Sequence, residues 1–244
     1  MKRARIARLI ASSAAHAANN FDKIPRPLPR THALGLRTGL AIDLKTGWDL
    51  STPEGRSNAM HAILAADPEV IISSPPCTRF SALTALWNNK KLPDDVVKKR
   101  DAEALDLFEF SMGLAHHQHG RGRGFVHEHP GKATSWKLKS TTAVLGLEMM
   151  ERVNFDMCVF GMCSPISRIS FKKNTGFLTN MDEVKKRFRN RHCKCSMTMY
   201  KGSPMKHMVI GGQEGGIRLS VHAQTYPTPL CRELALAVSE YCKR

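Results

Sequence analysis

Two segments of the sequence combine residue types that can do chemistry. In Ser74-Pro-Pro-Cys-Thr-Arg-Phe-Ser81, a thiol follows two prolines at the exit of an apolar run. The prolines fix the backbone there, and a thiol held at a strand exit suits a nucleophile. The plainer alternative is a structural cysteine after a strand. In Phe125-Val-His-Glu-His-Pro130, a carboxyl stands at the end of a second apolar run, between two histidines. If it is partly buried, its pKa rises and Glu128 can hold or donate a proton; if exposed, it is an ordinary surface acid. A different chemistry is also open: Cys77 with His127 or His129 as base would make a cysteine hydrolase.

Together the two segments resemble the DNA cytosine-5 methyltransferase family. In that family a Pro-Cys turn followed by Phe-Ser supplies the nucleophile, and residues 74–81 match it almost one for one. A later strand of the family ends in a Glu that contacts the cytosine. His127-Glu-His-Pro130 is similar to it, with His129-Pro130 where the family has Asn-Val. Trp48-Asp-Leu50 is similar to the segment whose Asp contacts the adenine of S-adenosylmethionine, and Asp43 matches the ribose-contacting acid. Tyr226-Pro-Thr-Pro-Leu230, running into the last helix, resembles the closing motif, so the likeness spans roughly residues 35–241.

The resemblance implies Cys77 as the nucleophile that adds to cytosine C6 and Glu128 as its partner at N3. It implies Asp43, Asp49 and Pro75 as contacts of S-adenosylmethionine and Arg79 as a phosphate contact. The family's Phe-x-Gly-x-Gly cofactor loop and Gln-x-Arg-x-Arg motif have no counterpart here. Arg168, Lys172 and Lys173 are the basic residues in the interval of the latter. The expected fold is therefore an α/β, Rossmann-like methyltransferase sheet with helices on both faces, its first strand missing or degenerate. The expected function is S-adenosylmethionine-dependent DNA cytosine-5 methylation. The alternative is a catalytically inactive nucleic-acid-binding relative of the same fold.

The elements that must position these groups follow from hydropathy. Apolar runs at 40–44, 68–73, 125–128 and 155–160 read as strands. Helical spacing is seen over 56–66, 98–116, 141–150 and 229–241, the last with Leu230, Leu234, Ala237 and Val238 on one face. Strands alternating with helices predict a mostly parallel sheet covered by helices. In such sheets ligands bind past the carboxyl ends of the strands, where Cys77 and Glu128 fall. Ahead of this domain (31–244), residues 1–30 hold seven basic residues and one acidic residue. They read as a disordered basic arm or a targeting segment, joined through Pro25, Pro27 and Pro29.

Charge points to the partner. The 244 residues carry a formal net charge of +16, and most of the excess lies outside the arm. A domain this basic fits a polyanion, DNA or RNA. The densest run is 182–194, read as a helix with acids at its start and with Lys185, Lys186, Arg187, Arg189 and Arg191 facing phosphates. The chain has no apolar stretch long enough to span a membrane. Seven cysteines without a signal-peptide core predict free or metal-bound thiols in an intracellular setting, nucleus or organelle included. His192, Cys193, Cys195 and His207 contain zinc-ligand types, but Cys-x-Cys is tighter than usual and the distal pair is incomplete, so no metal is assigned.

Overall fold

A computed structural model of the chain describes residues 5–9, 34, 36–81 and 92–244. The proline linker and most of the basic arm lie outside the described residues. The protein is a mixed α/β fold built on a six-stranded sheet of order β2-β1-β3-β4-β6-β5. The strands are β1 (Arg5–Leu9), β2 (Arg37–Ile42), β3 (Val70–Ser73), β4 (Gly124–Pro130), β5 (Glu151–Asp156) and β6 (Asn174–Thr179). β1 pairs in parallel with β2 and β3, and β3 with β4; β6 runs antiparallel to both β4 and β5.

Three features differ from the sequence reading. The first strand is neither missing nor degenerate: Arg5–Leu9 lies inside the sheet, between β2 and β3. Arg5 and Arg8 disguise it, because parallel strands inside a sheet ordinarily read as unbroken apolar runs. Residues 5–9 thus belong to the domain rather than to an arm. The strand near 155–160 is shifted to Glu151–Asp156, with a 3-10 turn over Met157–Phe160. Finally, β6 runs opposite to the other five strands, so two of the sheet's five strand pairings are antiparallel.

Helices cover both faces. On one side lie α1 (Pro53–Ala66), α2 (Asp94–Gly120) and α3 (Lys139–Leu145); on the other lie α4 (Asp182–Phe188) and α6 (Thr228–Tyr241). Alternation along the strands divides the core accordingly. Ile71, Phe125 and Leu178 face the α1–α3 side with Ile63, Phe108 and Trp136. Val70, Val126 and Phe177 face the α4/α6 side with Val184, Phe188, Leu230 and Leu234. Thr52 caps α1, its hydroxyl accepting from the Gly55 amide, and Pro53 opens the helix. Asp94 and Asp95 in the first turn of α2 suit its positive end. Between α4 and α6 run two short hairpins, β7 (Thr198–Tyr200) with β8 (Ser203–Met205) and β9 (Gln213–Glu214) with β10 (Ile217–Arg218), then α5 (Leu219–His222). Among the described residues no helix is long and apolar enough to cross a membrane.

Candidate active site

Strand order reverses at β1: the chain passes to β2 on one side and to β3 on the other. Crevices at such a switch point, outside the carboxyl ends of the strands, are where open α/β sheets bind ligands. Cys77 leaves the end of β3 there. Ser73 is the last residue of β3, and Pro75 and Pro76 offer no amide to continue the ladder. Beyond Cys77 a 3-10 turn, Thr78–Phe80, is pinned by Phe80. The Phe80 ring lies 5.3 Å from that of Phe108 and 5.4 Å from that of His129. The turn that presents the thiol is thus held by two prolines before it and a buried ring after it.

Register brings Glu128 beside this turn. Ser73 is level with His127, so Glu128 stands one residue farther along the neighbouring parallel strand. Its carboxyl faces the α6 side and is buried, with Oε1 lacking any protein partner. The Tyr226 hydroxyl hydrogen-bonds this carboxyl and lies 2.9 Å from Ser74 Oγ. Because a carboxylate can only accept, the order is Ser74 donating to Tyr226 and Tyr226 donating to Glu128.

The electrostatics follow from this packing. Burial raises the pKa of Glu128, opposed by the positive charge of Lys173 and by the Tyr226 hydrogen bond. Cys77 is pushed up as well, first by burial and then by the negative charge of Glu128, with Lys173 opposing. Lys173 is itself anchored, its Nζ donating to the Ala223 carbonyl at 3.0 Å. The sequence reading counts Lys173 among the nucleic-acid contacts and gives Tyr226 a place only in the closing motif, without a role for its side chain. Only the folded chain brings both to the Cys77–Glu128 crevice.

His127 and His129 point to the opposite face of β4. His127 Nδ1 lies 2.8 Å from Ser111 Oγ, which is 2.7 Å from Ser73 Oγ; His129 Nδ1 lies 2.7 Å from Ser135 Oγ. Both rings stack edge-on against Trp136. Gly176, level with His129 on β6, leaves room for that indole: a Cβ would lie 2.9 Å from the Trp136 ring. Burial lowers both imidazole pKa values, that of His129 to about 4 despite the nearby Pro76 and Pro75 carbonyls. These are neutral core histidines on the other side of the strand from Glu128, which leaves the hydrolase pairing without support.

Asp43 follows β2 directly and is buried. Its Oδ1 accepts from the Lys45 amide, whereas Oδ2 has no partner. Asp49 is exposed and its Oδ1 is occupied by the amide and hydroxyl of Ser51, while Pro75 is buried in the β3 turn.

The basic residues separate into two groups. Arg79 is paired with Asp101 of α2. Lys185 is buried and donates to the Met149 carbonyl and to Asp182, Arg187 bridges Glu233 and Glu240 of α6, and Arg189 pairs with Glu151. The helix expected over 182–194 stops at Phe188, and three of its basic residues tie α4 to its neighbours. Arg168, Lys172, Lys186 and Arg191 are exposed.

The cysteine cluster also differs from the sequence reading. Cys193, Cys195 and His207 come together as that set suggested, but the fourth member is Cys158, which follows β5, and His192 is exposed. None of the seven cysteines is in a disulfide. Comparison of the sequence with models of known families and with curated proteins finds no match to either.

Proposed function

We propose that this protein is a DNA cytosine-5 methyltransferase-like enzyme in which Cys77 is the nucleophile and Glu128 its acidic partner. The observation that carries the reading is the pairing of these two groups at the carboxyl ends of adjacent parallel strands, beside the point where strand order reverses. The strand inserted at Arg5–Leu9 supports a Rossmann-like sheet of the methyltransferase kind, because it supplies the central strand such a crevice needs.

Cytosine C5 is a poor nucleophile. In the proposed reaction a base drawn out of the stack enters the crevice, and Cys77 Sγ adds to C6. The electron pair moves into the ring, and the Glu128 carboxyl, whose pKa burial raises, hydrogen-bonds N3 and stabilises it. C5 then has enamine character. Cys77 must first lose its proton, and Lys173 favours the thiolate. Once C5 has taken the methyl group that the cofactor would supply, its own proton must pass to water for the S–C6 bond to break, and the thiolate is then recovered.

S-adenosylmethionine, when bound, supplies the methyl group. The buried, unpartnered Oδ2 of Asp43 past β2 fits one ribose hydroxyl as donor. Pro75 would form a wall of the same crevice and Asp49 its outer edge. The net charge of +16 suits a nucleic-acid substrate.

The test is trapping on DNA containing 5-fluorocytosine, with and without S-adenosylmethionine, beside Cys77→Ala. The expected result is a cofactor-dependent covalent adduct that disappears in the variant. Salt-sensitive DNA binding with no adduct would sink the enzyme reading and leave a binding relative in its place.

A further inference from the structure

We propose that Cys158, Cys193, Cys195 and His207 bind a structural zinc ion that fastens the segment between α4 and α6 to the edge of the sheet. The three sulfurs and an imidazole nitrogen all lie within 4.8 Å of one another, with Cys193 Sγ 3.1 Å from His207 Nε2. In a tetrahedral zinc site, bonds of about 2.3 Å to sulfur and 2.0–2.1 Å to nitrogen put neighbouring ligand atoms about 3.5–3.8 Å apart. Closing the cluster onto an ion therefore takes shifts of about an ångström or less. Three thiolates and one imidazole complete a closed, four-coordinate Cys3His set, and these soft donors select zinc over magnesium or calcium.

The backbone around the ligands is already organised. Asp156, buried at the end of β5, accepts from the Cys193 amide at 3.0 Å, and its other oxygen accepts from Asn174. The Cys195 amide points at Cys193 Sγ, 3.4 Å away, a contact that favours the thiolate. Cys158 comes two residues after Asp156, so a single strand end sets both the first ligand and the hold on the second.

The segment also needs a fastening. Between Phe188 and Met208 no side chain is buried, and the only regular structure is the hairpin of two three-residue strands, β7 and β8. A lone hairpin of this size is marginal in water, and units without a core of their own are commonly held by a metal or disulfides. The site lies outside the Cys77–Glu128 crevice, and its claim is independent of the methyltransferase reading.

The full chain, purified without chelators under reducing conditions, should carry a single zinc by elemental analysis. X-ray absorption at the zinc edge should fit three sulfurs and one nitrogen. The chelator-stripped chain titrated with cobalt should show tetrahedral absorption bands and thiolate charge transfer. That charge transfer should fall by about a third in each of Cys158→Ser, Cys193→Ser and Cys195→Ser, while His192→Ala keeps it whole. A folded wild-type chain that takes up neither zinc nor cobalt would overturn the proposal. So would a cobalt spectrum that needs His192 but is unchanged in Cys158→Ser. Because the wild-type measurements stand alone, misfolding of a variant does not rescue the idea.

Discussion

The hydroxyl oxygens of Ser74 and Tyr226 lie 2.9 Å apart although 152 residues separate them in the chain. The contact joins the turn that presents Cys77 to the approach to the last helix, and through Tyr226 it reaches the Glu128 carboxyl. Tyr226→Phe removes a donor that favours the ionised carboxyl, so Glu128 should titrate at a still higher pH. Carboxyl-selective NMR titration of wild type and variant reads this directly. The lost charge-assisted bond should also cost about 1–2 kcal/mol of stability. An unmoved Glu128 titration would mean that the hydroxyl does not serve that carboxyl.

Cys77 reports the two charges that face it. The carboxylate of Glu128 raises its pKa and Lys173 lowers it. Alkylation by iodoacetamide, followed against pH at that one thiol by mass spectrometry, gives its apparent pKa. Glu128→Gln should lower that value and speed alkylation several-fold near pH 8, while Lys173→Met should raise it and slow the reaction. Shifts of the same sign in both variants would mean that access, not charge, governs the thiol.

Glu128 also carries a stability cost. Its folded pKa is raised, so its contribution to stability is complete below the unfolded value and is lost as pH rises through the folded one. Glu128→Gln removes the ionisation. The variant should melt above wild type at pH 8, and the gap should close toward pH 4. A gap independent of pH would contradict a buried, titrating carboxyl.

How much of this was legible in the sequence depended on how local each signal is. Cys77 and Glu128 could be read because prolines and strand ends lie within a few residues of each. β1 could not, because Arg5 and Arg8 have the look of a basic arm, and only pairing with β2 and β3, far along the chain, gives those residues a strand's place. β6 (Asn174–Thr179) was missed for a similar reason: Asn174, Thr175 and Gly176 open it, and its partners β4 and β5 define it. Cys158 does not stand out as a member of the thiol cluster, because nothing near it in sequence points to Cys193. The basic run at 185–191 misled in the opposite direction. Its charge was plain, but the acids that absorb it, Glu151, Glu233 and Glu240, come from other elements.

The core histidines set an acid limit. Burial holds His129 at about 4 and lowers His127 too, whereas an unfolded chain takes up these protons near the ordinary value of about 6.5. The histidines' contribution to stability is therefore complete above about pH 6.5 and falls as pH drops toward 4. His129 alone should cost roughly 2–3 kcal/mol by pH 4.5. Denaturant unfolding between pH 7 and 4.5 should show this loss, and His129→Gln should flatten it. Equal slopes in the two proteins would remove His129 as the cause.

Finally, the two groups of basic residues should respond differently when each is removed. Arg187 bridges Glu233 and Glu240, so Arg187→Ala frees α4 from α6 and should cost about 1 kcal/mol of stability, as partly exposed ion pairs do. Its effect on DNA affinity should be small. Arg168 and Lys172 are exposed on the segment that leads to Lys173 and the crevice. If DNA enters there, Arg168→Ala and Lys172→Ala should leave stability unchanged, weaken binding across all sequences, and each reduce the slope of log affinity against log salt by about 1. The measurement is fluorescence anisotropy on a short duplex over a salt series, beside denaturant melts. If Arg187→Ala lowers the salt slope while Arg168→Ala and Lys172→Ala do not, DNA approaches over α4 and the nucleic-acid face must be moved there.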